Sequence, residues 1–433
     1  MAVTMLVFCV AALLALGMVM LYSSSMAQVG THYLVKQLVG CAIGMALCMM
    51  AAAFDYRRLK KFAWPLFALA VVLLVLVFLP PIGIRRNGAS RWLGYGKTSL
   101  FQPSEFAKLA LIIALAWYCE WFQRQMPTLK RGMIIPGLFI GLVLGLVFKE
   151  PDVGNMLLIA TVSGVLLLIG GIRLRYFLPP VIAGALAVGL FIGPVLGLVF
   201  KEPGVGNMLL IATVSGVLLL IAGIRLRYFL PPVIAGALAV GLFIYHNPMR
   251  SERIYSWLHL EETKQAKGVQ AYQAMVALGS GGIAGKGLGD GRQKLGFVPE
   301  HHTDFIFSII GEELGLIATL LVIVAFVVIV FCGIYIAINA ADTFGLLLGS
   351  GITFLIGLQA FINIGVVTSA LPNKGLPLPF ISYGGSNLLI ALVSVGLLLS
   401  IARHARENAD GIRNVLPERE GANPFAQRKH FRR

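Results

Sequence analysis

Most of this chain is written as long apolar runs separated by short polar turns. The runs fall at about 2–22, 34–54, 62–82, 104–122, 133–148, 153–172, 176–200, 206–224, 228–245, 314–338, 343–367 and 386–402. A helix needs roughly 20 apolar residues to cross a bilayer, so the pattern predicts about twelve transmembrane helices. A membrane barrel would instead show strands of about ten alternating residues, and no such alternation runs through the sequence. The predicted fold class is therefore all-α and polytopic: one helical bundle over 1–402 with a polar tail at 403–433. The first run, "MAVTMLVFCVAALLALGMVMLY", has no basic flank and no small-residue cleavage pattern, so it is expected to remain as the first helix.

Composition sharpens this picture. Hydrophobic residues make up 58% of the 433 positions and charged ones 12%, with a mean hydropathy of +0.86, which excludes a water-soluble globule. The five cysteines (Cys9, Cys41, Cys48, Cys119, Cys332) all sit inside apolar runs without CxxC spacing, and read as small core residues. The net charge of +16 is distributed unevenly. With the N-terminus placed in the cytoplasm, "DYRRLKK", "QRQMPTLKR", two copies of "RLR" and the tail hold 19 of the 35 basic residues, as the positive-inside rule requires. An even number of spans returns the C-terminus to the same side. The segment 83–108 departs from the rule: Arg85, Arg86, Arg91, Lys97 and Lys108 face a lone Glu105 on the outer side. Cations kept where topology disfavours them point to an anionic partner or to lipid headgroups, not to nucleic acid.

One repeat stands out. Residues 141–192 recur at 193–244, and across 52 positions only three differ: Leu142/Pro194, Asp152/Gly204 and Gly170/Ala222. "GLFIG" at 137–141 and 189–193 is the short homology a tandem duplication leaves behind. Each copy holds one "KEP" turn, two helices and one "RLR" turn, so the duplication adds a hairpin without changing downstream sidedness. Two further stretches are too polar to cross a membrane, the large loop 246–304 and the Pro/Gly-punctuated 368–384. By parity both share the outer side with 83–108.

The polar stretches carry specific motifs: "GASRWLGYG", "FQPSEFAKL", "KEPDVGN", "GKGLGDGRQKLGFVPEHHTDFIFSIIGEELG" and "LPNKGLPLPFISYGGSN", in that order. On these the chain resembles the SEDS family of shape, elongation, division and sporulation proteins (FtsW, RodA, SpoVE), over nearly its whole length. "GKGLGDGRQKL" and Lys374 in "LPNKG" place it with the division-type members. The resemblance implies a ten-helix bundle, to which the duplicated hairpin adds two. It also implies a glycosyltransferase that polymerises lipid II into peptidoglycan glycan strands outside the cytoplasmic membrane, beside a class B penicillin-binding protein and other division proteins at the septum. Neither metal nor cofactor is expected. A lipid II flippase, an elongation-type polymerase and a division scaffold acting through its basic tail remain as alternatives.

The residues suit that chemistry. Joining two lipid-linked sugars needs a carboxylate to accept a hydroxyl proton and cations to meet the departing diphosphate. Asp304 stands where the polar loop enters "FIFSIIGEELG", and its counterpart in the family's "HTDF" motif is implicated in catalysis. The competing role is a helix N-cap. His301 and His302 beside it lack a third ligand at zinc-like spacing, and Glu300 is placed to orient the site. Arg91, Lys108 and Lys374 are the candidate substrate cations, backed by Arg85, Arg86, Arg250 and Arg253. For Lys108 the competing role is a simple helix pair with Glu105. Trp92 is read as a sugar platform or an interfacial anchor. Ser382 and Gly384, near the entry to the last run, are read as phosphate contacts or as a helix-entry turn. Glu312 and Glu313 are intramembrane acids that would pair with a buried lysine.

Overall fold

The computed structural model describes residues 1–25, 30–79, 82–86, 89–95, 98–150, 152–172, 257, 259, 262–263, 268–295, 303–371 and 375–415. The repeat copy 193–244, the second helix of copy one, Glu300, His301, His302, Arg250, Arg253, Lys97 and Lys374 lie outside the described residues.

Within them the apolar runs become helices: α1 (Ala2–Ser25), α2 (His32–Ala53), α3 (Leu59–Leu76), α4 (Pro103–Trp121), α5 (Ile135–Lys149), α6 (Val153–Ile169), α7 (Val269–Ser280), α8 (Ile306–Ile338), α9 (Thr343–Val367) and α10 (Gly385–Val415). Seven described segments are long and apolar enough to cross a membrane, and α6 is a shorter apolar helix. α4 has the length to span but carries Glu105, Lys108 and Glu120. It is also the most enclosed helix, buried on nearly every side. α2 packs along α10, α3 along α4, and α8 between α1 and α9.

Two local departures from the predicted pattern have clear causes. The basic stretch after α3 is not plain loop but a three-stranded antiparallel sheet, β1 (Gly83–Arg86), β2 (Ala89–Tyr95) and β3 (Thr98–Phe101). Ile84 pairs with Trp92 and Leu93 with Phe101. Asn87–Gly88 between β1 and β2 is a strong hairpin signal. The second departure is α8, which begins at Ile306, ahead of the apolar run, and passes through a break at Gly315 (φ 78°) that only glycine accepts without strain. Loop amides enter the break: Lys286 N–H donates to Glu312 O and Gly287 N–H to Glu313 O, each at 3.0 Å, while Leu316 N–H donates to Gly282 O. Every backbone group freed by the break at these positions therefore finds a partner, the condition for irregular backbone at membrane depth.

The helix termini collect into two polar ends. At one, Lys60 Nζ reaches Glu120 Oε1 and Asp342 Oδ2, both at 2.8 Å, and Tyr56 Oη donates to Asp342 Oδ1 at 2.8 Å. His404 lies 3.5 Å from Asp55. Burial opposes ionisation of Asp342, but hydrogen bonds from Lys60, Tyr56 and the Gly345 amide outweigh it and lower its pKa. This end gathers the turns that precede α3 and α9, the close of α4 and the far part of α10. The other end gathers the strands, the starts of α4, α6 and α8, and the segment before α10.

Candidate functional site

The second end is built on α4, α6 and α9. Pro103 occupies the first turn of α4, where its missing N–H costs nothing. Two turns of that helix then carry Ser104, Glu105 and Lys108 into the interior. Lys108 Nζ lies 2.8 Å from Glu105 Oε1, 3.1 Å from Asn155 Oδ1 and 3.4 Å from Gln359 Oε1. The helix pair foreseen for Lys108 thus forms, with both side chains nearly fully enclosed (1% and 3% exposed). A buried pair of this kind is tolerable only where further hydrogen bonds satisfy it, and the two amides supply them.

Asp152 caps α6, accepting from Asn155 N–H (3.2 Å), Asn155 Nδ2 (2.9 Å) and Gln102 Nε2 (3.3 Å). Just before it, Arg91 on β2 donates through Nε to the Glu150 carbonyl at 3.0 Å. The Glu150 carboxyl is fully enclosed, and neither oxygen has a hydrogen-bond partner. Desolvation, with Asp152 adding to it and Arg91 opposing it, pushes its pKa up to about 8.

α9 ties these groups to the remaining loops. Gln359 Nε2 donates to Pro377 O (2.9 Å) and Asn387 Oδ1 (3.2 Å). One turn on, Asn363 Nδ2 donates both to Leu376 O (2.7 Å) and to Asp304 O (2.8 Å). The two amides stand four residues apart, about 6 Å along the axis. Asp304 is half-buried, and the N-cap position of α8 falls on Phe305, so Asp304 stands one residue outside the cap. Its carboxylate lies against the backbone at Gly375: a Cβ there would come within 2.8 Å of Oδ2. A narrow, partly open pocket with room for about one water lies beside this network, with Glu105, Lys108, Gln359 and Asn387 at its polar side and Leu355, Ile356 and Ile390 at its apolar side.

The predicted site residues therefore divide. Asp304 and Lys108 are joined, through Asn363 and Gln359, to one short stretch, 375–378, whereas Arg91 reaches the Glu150 carbonyl ahead of α6. Trp92 sits on the adjacent strand at intermediate exposure. Ser382 and Gly384 serve packing: Leu378 N–H donates to Ser382 Oγ (2.8 Å), and the Gly384 N–H points to Gln37 Oε1 (3.4 Å). That is the helix-entry role. Glu313 pairs with a buried lysine as foreseen, Lys294 at 2.6 Å, with Ser23 of α1 donating to the same carboxylate. Among the described residues no three His, Cys, Asp or Glu side chains gather as a metal site. The residues that escaped sequence reading are Gln359, Asn363 and Asn155, neutral amides inside apolar runs. Their signal was present: Gln359 and Asn363 are four apart and so share one helix face.

The sequence model of the FtsW/RodA/SpoVE cell cycle proteins matches residues 3–195 and again 183–407, the two matches overlapping at the junction of the repeat copies. The chain is 35% identical over 397 residues to the probable peptidoglycan glycosyltransferase FtsW of Geobacter metallireducens, covering 90% of this chain and 92% of that protein. It is 33% identical over 403 residues to stage V sporulation protein E of Bacillus subtilis, covering 91% and 95%. Among solved structures, it is similar to a chain from work titled for coordination of polymerization and crosslinking by a peptidoglycan synthase complex (TM-score 0.65, 25% identity, 92% and 97% covered). It is also similar to the rod shape determining protein RodA of Thermus thermophilus (TM-score 0.59, 25% identity, 92% and 96% covered).

Proposed function

The chain belongs to the FtsW/RodA/SpoVE family of cell cycle proteins, and from that premise we propose that it is a division-type peptidoglycan glycosyltransferase that polymerises lipid II. In this reading the Asp304 carboxylate takes the proton from an acceptor sugar hydroxyl. The oxygen so released attacks the donor's anomeric carbon, and the bond from that carbon to the diphosphate oxygen breaks. The lipid diphosphate leaves with the electron pair, met by Arg91, Lys108 and Lys374. The observation that carries the reading is the tether through Asn363. One amide holds the Asp304 backbone and the 375–378 segment together, beside a pocket whose polar wall contains Lys108. A base, a fixed loop and a buried cation on one scaffold are what positioning catalysis requires.

The finer placement follows from the same reading: about twelve spans with both termini cytoplasmic, the site on the outer face at the division septum, and a class B penicillin-binding protein as partner. A chain similar to this one comes from a peptidoglycan synthase complex, which supports a partnered enzyme. The buried Glu105–Lys108 pair favours one second reading, a lipid II flippase, since intramembrane charges also line crossing paths. Purified protein with its partner, given lipid II only in the outer leaflet, separates the two. Glycan strands are expected, and a protein that leaves that lipid II unpolymerised is not this enzyme.

A further inference from the structure

The break at Gly315 makes α8 two helices whose surroundings differ. Residues 305–313 are all buried, whereas just past the break Leu316, Ile317, Leu320 and Leu321 are each 50% or more exposed, facing outward from the bundle. With the backbone ladder interrupted, the outward-facing half does not by itself fix the direction of the enclosed half. The contacts that can do so sit at the two ends of that half. Asp304 stands at its head, one residue ahead of the cap, and the Asp304 carbonyl accepts from Asn363 Nδ2 at 2.8 Å. Glu312 and Glu313 form its foot, both 0% exposed. Glu312 accepts from Lys286 Nζ (3.2 Å) and from the Arg292 and Gln293 amides (3.0 and 3.1 Å). Glu313 accepts from Lys294 Nζ (2.6 Å), Ser23 Oγ (2.6 Å) and the Gly289 amide (3.1 Å). Lys294 donates in turn to Ser23 Oγ and to the Gly289 carbonyl. Two adjacent carboxylates thus tie the loop 286–294, the end of α1 and the enclosed half-helix into one knot. Buried charge pairs add little net stability over apolar side chains of similar size. What their directed hydrogen bonds add here is a single register for the half-helix.

We propose that Glu313, with Glu312 beside it, is a positioning residue: the knot at the foot fixes the half-helix and so fixes where its head holds the Asp304 carboxylate against the incoming sugar hydroxyl. The steps from 304 to 313, at about 1.5 Å each, separate foot and head by roughly 13 Å, so Glu313 acts through the helix and touches no reacting atom. The inference rests on the reading of Asp304 as the base and gives that base a remote support. A misplacement near 1 Å at a reacting group costs about a hundredfold in rate. Loosening the foot should therefore lower turnover at saturating lipid II. KM should hardly move, because groups outside the half-helix keep their places.

The test uses the full-length, partner-bound protein in lipid nanodiscs. It compares wild type with Glu313→Gln, with the neutral pair E313Q/K294M, with Ser23→Ala and, as a control outside the knot, with Lys60→Met. Glu313→Gln keeps the side-chain shape and removes the charge that holds Lys294. Should it strand that lysine and fail to fold, the neutral pair removes both charges together and carries the same expectation. Turnover per folded molecule is expected to fall at least about tenfold with KM within about twofold. Ser23→Ala, which takes away one donor only, should show the same split with a smaller fall, and Lys60→Met should keep wild-type turnover. Hydrogen exchange gives a readout independent of chemistry: amides of 306–314 should exchange about tenfold faster in the neutral pair, and those of 320–338 at the wild-type rate. The inference is overturned by wild-type turnover in the neutral pair, by a fall that lies in KM alone, or by exchange that rises evenly across the bundle. A half-helix that loosens as described in a protein that makes no glycan contradicts the polymerase reading alone. A wild type and a neutral pair that polymerise equally well contradict only the positioning role.

Discussion

The two polar ends of the bundle are held by ion pairs of the same residue types, yet they differ in kind. Lys60, Glu120 and Asp342 form a closed set with side chains 23–29% exposed, and Tyr56 adds a fourth partner. At the other end Lys108 and Glu105 are all but sealed, held by neutral amides beside a pocket. Unpaired buried atoms follow the same division. Both Glu150 carboxyl oxygens and Asn363 Oδ1 belong to the Asp304 end, Ser394 lines the pocket, and Gln293 Oε1 lies beside Glu312 at the α8 break; among the described residues no member of the Lys60 set is without a partner. A complete network fastens helices, whereas an incomplete one is kept for what is still to arrive. Unsatisfied polarity, more than charge, thus distinguishes the two ends.

Substitutions sharpen that contrast. The largest effect is expected from Lys108→Met, which strands the Glu105 carboxylate and should cost roughly 3–5 kcal/mol. Loss of folded protein in detergent checks it, with Glu105→Gln added to the same chain restoring part of the yield. Asn363→Ala comes next. Removing the donor to Asp304 O and Leu376 O should lower turnover about a hundredfold, the scale of a misplacement near 1 Å, while most of the substrate affinity remains. Steady-state kinetics that show affinity falling and turnover unchanged would refute the positioning role. The smallest effect belongs to Lys60→Met. Its partners are part-exposed, so screening limits the loss to about 1 kcal/mol, readable as a shift in thermal midpoint with unchanged activity per folded molecule.

Much of this was legible in the chain. Apolar runs marked most described spans to within a few residues, because a bilayer imposes both length and composition on a helix, but α3 closes at Leu76 and α10 continues past its apolar run to Val415. The boundary failed at α8 because the apolar run begins only at 314, whereas the helix already contains Glu312 and Glu313, satisfied by Lys286, Lys294, Ser23 and the amides of Gly289, Arg292 and Gln293 brought to them from elsewhere. The sheet was missed because its arginines drew attention to charge and away from the Asn-Gly pair at 87–88. Asp304, Arg91 and Lys108 could be named from residue type and motif. The amides that connect them could not, because an Asn or Gln in an apolar helix declares no partner: Asn363 meets Leu376 and Asp304 only once α9 has packed. For Ser382 and Gly384 the sequence offered a helix-entry turn beside a phosphate contact, and the contacts seen are those of the turn: Leu378 N–H donates to Ser382 Oγ, Gln37 Nε2 to Ser382 O, and Gly384 N–H to Gln37 Oε1.

The central claim is that chemistry belongs to the Asp304 end alone. Glycan polymerisation by Asp304→Asn, assayed beside Lys60→Met at equal amounts of folded, partner-bound protein, tests it most directly. The account predicts strands from the Lys60 variant and background synthesis from the Asp304 variant despite intact folding. Undiminished strand length and rate in Asp304→Asn would contradict it.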